Sequence, residues 1–369
     1  MRVIMTGGGT GGHIYPAIAI ADEIKRRYPD ADILFVGAER GLEKTLVPKR
    51  GYNIRLIPVE GFDRKHIARN AEVIRKLMKG SSQAKKIIKE FRPDVVIGTG
   101  GYASAPMVKA AQKAKIPTFI HEQNAYPGVT NKLLEKNVRN VFLGFARASE
   151  YFKEPDKIVV SGNPVRDEFR GKDRSQARAE LGIKDDRFMV LAFGGSQGAG
   201  RINKAMVSVI RQVSGREDME IVLGAGSYYY DAICQAFEDE GFTPGDNIRI
   251  IEFIDDMASY LAAADLVVSR SGALTVAETT VSGRPAIFIP SPMVTGNHQY
   301  YNALAVAEAG GARIIEEKDL EDEKLLREIL SLKDDPKTLA EMARASRGCG
   351  PDKATEIICD RILEEIKIG

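Results

Sequence analysis

The strongest constraint on this chain is an alternation: short runs rich in β-branched residues are separated by segments of helical length whose apolar residues recur at three and four. In the first half the runs fall at 3–6, 33–37, 54–59, 95–99, 118–121, 141–144 and 158–161. Ser161-Gly162-Asn163-Pro164 then interrupts any regular element, and the pattern resumes at 189–193, 221–223, 248–253, 266–269, 286–289 and 313–315. Strands joined by helices must run parallel, because a parallel neighbour is reached only by a crossover. The expected fold is therefore α/β, two Rossmann-like domains whose sheets turn their carboxyl edges to a shared cleft. The expected division is 1–163 and 164–346, with the amphipathic tail within 347–369 crossing back to tether the first domain.

Both halves open on a strand that ends in glycines, Gly7-Gly8-Gly9-Thr10-Gly11-Gly12 and Gly194-Gly195-Ser196-Gln197-Gly198-Ala199-Gly200. Without a Cβ the backbone can approach an anion and present successive N–H groups as a concave nest. Gly7, Gly9 and Gly12 fit GxGxxG, and Glu39 could receive an adenosine ribose, so a nicotinamide or flavin oxidoreductase stands as an alternative. The second loop does not fit that fingerprint, and His13 and Pro16 crowd the first helix where small apolar residues are usual. A histidine, whose unperturbed pKa is about 6.5, suits proton transfer from a hydroxyl, which makes His13 a candidate; holding the loop is its plainer use.

The stretch 265–303 carries the most chemistry. A strand ending at Ser269 is followed by Arg270-Ser271-Gly272 and then by a helix beginning at Ala273-Leu274-Thr275-Val276-Ala277-Glu278. A helix opening off a strand aims its free N–H groups and dipole beyond the sheet's carboxyl edge, where a diphosphate is favoured. Glu278, one turn in, can accept two hydrogen bonds from a ribose. Asn297-His298-Gln299-Tyr300 ends the next polar loop.

Charge is uneven: residues 64–92 hold ten Lys or Arg against Glu72 and Glu90, a net +8 in a chain of net +2. With Ile74, Leu77 and Met78 interspersed, this segment can lie on an anionic membrane, or it can face the core while its lysines are solvated. Basic-aromatic interleaving is missing, which disfavours nucleic acid. The three cysteines form no CxxC pair and the histidines show no ligand spacing, so no metal is expected. Asp30-Ala31-Asp32 resembles a cation-binding DxD but precedes its strand, at the wrong edge for ligands. No run reaches the roughly 20 apolar residues of a membrane span, and no signal-peptide pattern opens the chain, so a cytoplasmic location is expected.

Several motifs occur together and in order: Gly8-Gly9-Thr10-Gly11-Gly12-His13, Gly100-Gly101-Tyr102, His121-Glu122-Gln123-Asn124, Gly162-Asn163-Pro164-Val165-Arg166, Gly194-Gly195-Ser196-Gln197-Gly198, Arg270 to Glu278, and Asn297-His298-Gln299-Tyr300. By these the chain resembles, over nearly its whole length, the MurG family of bacterial peptidoglycan N-acetylglucosaminyltransferases. The resemblance implies the two-domain glycosyltransferase B fold, no cofactor, and inverting transfer of N-acetylglucosamine from UDP-GlcNAc to the C4 hydroxyl of MurNAc-pentapeptide on undecaprenyl diphosphate. That reaction turns lipid I into lipid II at the cytoplasmic face of the membrane.

Residue by residue, the resemblance implies that Ala273, Leu274, Thr275, Val276, Ala277 and Glu278 meet diphosphate and ribose. Ile254 would present its backbone to uracil, and Gln299 and Asn124 would address the sugar. Ser196 and Arg166 would face the diphosphate, while Thr10, Gly11 and Gly12 would approach the donor. Gly100, Gly101 and Tyr102 would hold the acceptor's diphosphate. His13 would be the general base, with Glu122 a second candidate. His298 stands where some relatives carry glutamine, and the chain has no tryptophan, so membrane contact would rest on aliphatic residues and charge. A nucleotide-gated membrane-binding module without chemistry is the non-enzyme alternative.

Overall fold

Along β1 (Arg2–Gly7), Val3 and Met5 enter one apolar cluster and Ile4 another, so both faces of the strand are buried. A strand buried on both faces belongs at the centre of a helix-covered parallel sheet. In the computed structural model, which describes residues 1–61, 70–195, 197–350 and 353–366, it lies there. The other strands of its sheet are β2 (Asp32–Ala38), β3 (Asn53–Ile57), β4 (Val95–Gly100), β5 (Thr118–Glu122), β6 (Asn140–Leu143) and β7 (Ile158–Val160). They pair in parallel in the order β3-β2-β1-β4-β5-β6-β7. The helices between them are α1 (Gly11–Arg27), α2 (Glu43–Lys49), α3 (Asn70–Phe91), α4 (Ser104–Lys113) and α5 (Val129–Leu134). Ile14 and Ile18 of α1 cover one face; Ile87 and Ile88 of α3 with Met107 and Val108 of α4 cover the other.

The second unit repeats the plan with β8 (Phe188–Phe193), β9 (Met219–Gly224), β10 (Ile248–Ile251), β11 (Leu266–Ser269), β12 (Ala286–Phe288) and β13 (Ala312–Ile314), in the order β10-β9-β8-β11-β12-β13. Its helices are α6 (Arg174–Leu181), α7 (Gly200–Val213), α8 (Tyr230–Asp239), α9 (Met257–Ala263), α10 (Ala273–Val281), α11 (His298–Glu308), α12 (Asp322–Lys333) and α13 (Pro336–Cys349). Every run expected to be a strand is one. In each sheet the order reverses at the first strand, between β1 and β4 and between β8 and β11, the kind of position at whose carboxyl edge ligands bind in open α/β sheets.

Helix starts differ in a way that matters for that edge. Asp173, Asp256 and Asp335 cap α6, α9 and α13 by accepting from Gln176, Ser259 and Thr338 backbone N–H groups. At α1, α7 and α10 the N-cap residues Thr10, Ala199 and Gly272 supply no such side-chain bond. Those are the helices that follow the glycine loops and the 270–272 turn.

The units comprise Met1–Arg166 with Lys353–Gly369, and Asp167–Asp352. The first therefore extends to Arg166 rather than residue 163, where Val165 is buried and the Arg166 guanidinium lies over the Tyr15 ring at 5.2 Å. The return starts at Lys353 rather than residue 347, since α13 packs with α10 and α12. The last helix, α14 (Ala354–Ile366), buries Ile358, Cys359 and Ile362 in the cluster that holds Ile14 and Ile18. An ion pair between Arg27 and Asp360 closes its edge. Ile358→Ala is expected to cost about 2–5 kcal/mol, the usual range for emptying a core isoleucine. Urea unfolding of the full chain followed by far-UV circular dichroism measures this; an unshifted transition would mean that α14 is dispensable to the first unit.

Candidate functional site

The loop after β1 is held from below by a carboxylate. Glu43, 1% exposed, accepts the N–H of Gly9 at 2.9 Å through Oε2 and that of Ala38 at 2.8 Å through Oε1. A Cβ on Gly8 would stand 2.1 Å from Glu43 Oε1, so this glycine admits the buried acid. One amide of the expected anion nest is thus satisfied by the protein itself. The nest narrows to the first turn of α1, where Gly11 and Gly12 follow Thr10 and the His13 N–H already donates to Thr10 O at 3.1 Å.

Across the switch point the end of β4 presses against this loop. Gly100 has φ +97° and Gly101 φ +81°, and Cβ atoms there would lie 2.8 Å from His13 Nδ1 and 2.3 Å from Gly8 O. Only glycine tolerates both the left-handed backbone and that approach. Thr99 Oγ1 donates to His13 O at 2.7 Å, fixing the helix start. Tyr102, beyond the glycines, is 56% exposed.

His13 Nδ1 lies 2.9 Å from Gln123 Oε1. Gln123 Nε2 donates to Thr99 O at 2.9 Å and stands 2.9 Å from His121 Nδ1, and His121 Nε2 is 3.0 Å from Gly162 O. Among the described residues no hydrogen bond reaches His13 Nε2. His121 is fully buried, and burial, assisted by the neighbouring His13 charge and opposed by the Gly162 carbonyl, pushes its pKa down to about 4. It is a neutral imidazole near pH 7.

Glu122 is also buried, at 1% exposure. Its Oε1 accepts from Asn124 N at 3.0 Å and Asn124 Nδ2 at 3.3 Å, and its Oε2 from Gly128 N at 3.0 Å and Asn131 Nδ2 at 2.8 Å. These bonds make it the anchor of the 123–128 loop, and they orient the half-buried Asn124. A carboxylate so occupied has little left to offer a hydroxyl.

In the second unit, α10 leaves Gly272 with its first-turn amides uncapped by any N-cap side chain. Ala273, Val276 and Ala277 are buried while Leu274, Thr275 and Glu278 are half-buried. Ser271 Oγ donates to Gln299 O at 2.8 Å and Asn302 Nδ2 to Ser271 O at 3.1 Å, which ties the start of α11 to the turn before α10. Gln299 Oε1 accepts the Ser291 N–H at 2.8 Å, so its amide nitrogen is the end left to donate elsewhere. Arg270 is turned aside, donating to Ile289 O at 3.1 Å and pairing with Glu317 at 2.5 Å. Ile254 is buried against Gly224, three residues after β10. Ser196 lies outside the described residues.

A separate surface gathers on α3, α4 and α5. The basic segment resolves into two parts: Val73, Ile87 and Ile88 are buried, whereas Ile74, Leu77 and Met78 are 49%, 37% and 70% exposed. Its residues 64–69 lie outside the described residues. Leu77, Tyr102, Val129 and Leu133 line a cavity of about 370 Å³ with Lys85, Lys109 and Lys113 on its walls. Beside it a basin of about 860 Å³ carries Lys109, Lys113, Lys115, Lys136, Arg139 and Lys157 against one acid, Glu365. Sequence summation placed the positive charge in 64–92 alone; folding adds cations from the segments between α4 and β7. Among the described residues no helix is long and apolar enough to cross a membrane.

Sequence reasoning missed Gln123 and Glu43 as site-forming residues. Gln123 stood inside the quoted His121-Glu122-Gln123-Asn124 motif, which was its one signal; Glu43 had none.

Comparison with known proteins identifies the family. Residues 3–143 match the glycosyltransferase family 28 N-terminal domain and residues 189–357 its C-terminal domain. The chain is 45% identical, over 100% of its length and 99% of the relative's, to the UDP-N-acetylglucosamine--N-acetylmuramyl-(pentapeptide) pyrophosphoryl-undecaprenol N-acetylglucosamine transferase of Acetivibrio thermocellus. The protein of the same name from Clostridioides difficile is 43% identical over 99% of this chain and 89% of its own. Among solved structures, Acinetobacter baumannii MurG superposes with a TM-score of 0.77 at 29% identity, covering 98% of this chain and 99% of that one.

The depressed pKa of His121 gives a stability signature. The unfolded imidazole takes up its proton near pH 6.5 and the folded one only at about 4, so the unfolded chain binds more protons in between. Stability is full above pH 6.5 and falls as pH drops toward 4, by up to about 3 kcal/mol at 1.36 kcal/mol per pKa unit. Denaturant titrations at pH 7.5 and 4.5 are expected to show the decline and His121→Phe to remove its contribution. Equal slopes for the two proteins would mean that His121 titrates normally.

Proposed function

The chain belongs to glycosyltransferase family 28, and we infer that it transfers N-acetylglucosamine from UDP-N-acetylglucosamine to the muramyl-pentapeptide carried on undecaprenyl diphosphate. It is an N-acetylglucosaminyltransferase of peptidoglycan synthesis, converting lipid I to lipid II, with the two-domain glycosyltransferase B fold. The nicotinamide alternative loses its main support, since Gly9 gives its N–H to Glu43 in the one loop that fitted the dinucleotide fingerprint.

His13 is the general base. Its ring carries the assignment: Nδ1 is held by Gln123, and Nε2 meets no acceptor or donor among the described residues. Nε2 takes the proton of the acceptor's C4 hydroxyl as that oxygen bonds to the anomeric carbon. The bond from the anomeric carbon to the diphosphate breaks with its electron pair on UDP, and the configuration inverts. Glu122 serves the loop, not the proton.

On this reading the donor's diphosphate meets the start of α10, where the Ala273, Leu274 and Thr275 N–H groups precede the first intrahelical bond, Val276 N–H to Gly272 O at 2.9 Å; Ser196 and Arg166 are assigned to the same diphosphate and Glu278 to the ribose. The uracil meets the Ile254 backbone. Gln299, donating through its amide nitrogen, and Asn124 address the sugar, with Thr10, Gly11 and Gly12 also assigned to the donor. Gly100, Gly101 and Tyr102 hold the acceptor's diphosphate. On the same reading the exposed Ile74, Leu77 and Met78 and the adjoining basins of cations are the surface that docks on anionic lipid, with the protein working peripherally at the cytoplasmic membrane face; their exposure and charge support it.

Two experiments test these assignments. In His13→Ala, acceptor-dependent UDP release should fall about 10²- to 10⁴-fold, the usual loss of a general base, while UDP-GlcNAc still raises the melting temperature. Near-normal turnover would remove His13 from the proton transfer. Sedimentation with anionic liposomes should weaken as salt rises and should be reduced in Lys113→Glu/Lys136→Glu. Equal binding to neutral vesicles at every salt concentration would dismiss the basic surface.

A further inference from the structure

The hydrogen-bond directions around His13 can be read without ambiguity because the network ends on groups that only accept. Gln123 Nε2 lies 2.9 Å from Thr99 O and 3.2 Å from His121 O. Carbonyl oxygens cannot donate, so the amide nitrogen must stand on that side and the amide oxygen must face His13. At the other end, His121 Nε2 faces Gly162 O at 3.0 Å, so Nε2 carries the imidazole proton and Nδ1 is left as an acceptor for the second Gln123 N–H, 2.9 Å away. Ser161 Oγ donates to the same Gly162 carbonyl at 2.9 Å, and Asn163 Nδ2 donates to Gln123 O at 3.0 Å, so both termini are tied down. Gln123 is 1% exposed, and water has no ready access to scramble its amide.

We infer that Gln123 is a positioning residue that holds neutral His13 as its Nδ1–H tautomer, so that the Nε2 lone pair is the one presented to the acceptor hydroxyl. The inference rests on His13 being the base. Without a partner, neutral imidazole favours the proton on Nε2, which would turn a donor toward the hydroxyl. The other nitrogen's hydrogen bond reverses this preference. An amide oxygen orients the ring and steadies the imidazolium formed in the reaction, but it cannot take the proton. Gln123 and His121 therefore orient and do not relay: the proton leaves His13 by the nitrogen through which it came. The buried imidazole of His121, neutral near pH 7, is the second stop that keeps the glutamine from flipping.

The test uses the full chain labelled with ¹⁵N-histidine, which has four histidines, the His13 signals being assigned by their loss in His13→Ala. Two-bond ¹H–¹⁵N correlation spectra above the His13 pKa separate the two tautomers. The wild type should show Nδ1–H. Gln123→Met should show Nε2–H, with kcat lowered about 10²- to 10⁴-fold and KM for UDP-GlcNAc little changed. Gln123→Glu, which keeps an acceptor at the same place, should retain Nδ1–H and serves if the methionine variant does not fold. An Nε2–H signal in the wild type, or an unchanged tautomer in Gln123→Met, overturns the inference. A switched tautomer with full kcat upholds Gln123 as the lock and overturns instead the assignment of His13 as base.

Discussion

The closeness of β4 to the start of α1 is the constraint from which the first unit's edge follows. Two successive glycines with positive φ let the β4 turn lie against the His13 ring and the Gly8 carbonyl, and Thr99 fastens the helix start to the same turn. Any side chain at Gly100 or Gly101 would displace the ring or the loop. Because the ring is pinned from one side, Gln123 can meet it from the next strand's end, and the remaining nitrogen has one direction left. Close backbone approach is what makes this histidine a candidate for chemistry.

The second unit solves a different problem. Under the proposed function its edge stabilises negative charge on a departing diphosphate, and the helix start there supplies main-chain amides whose N-cap is a glycine without a side chain. At α6, α9 and α13 an aspartate occupies that position and takes up one of these donors. A fixed row of amides needs no reorganisation when charge develops on a leaving group, which is why such an edge can do work often given to a cation.

The proposed membrane surface depends on convergence. Cations of α3 and α4 and of the segments before β5, β6 and β7 meet at one face beside exposed aliphatic side chains. Several charges of α3 are meanwhile engaged by acids: Arg75 with Glu72 at 2.8 Å, and Lys76 with Glu60 at 2.6 Å. Such exposed or half-exposed pairs contribute little to stability. Their effect is to leave the net field to the lysines around the two basins, which on the proposed lipid would act together with the exposed aliphatic side chains.

The sequence by itself determined the strands, the helices between them and the doubling of the plan, since period-two and period-3.6 patterns are local and survive without knowledge of partners. It also determined which loops were glycine-rich and which motifs belonged to a known transferase family. Tertiary structure alone decided what the side chains in those loops do. His13 and Gln123 are 110 residues apart, and Gly9 and Glu43 are 34 apart. No periodicity encodes such meetings. Glu122 read as a possible base because carboxylates are acids wherever they are written; the fold buried it under four donors. Charge behaved likewise, for a sum along the chain records only neighbours in sequence, whereas the field at a surface records neighbours in space.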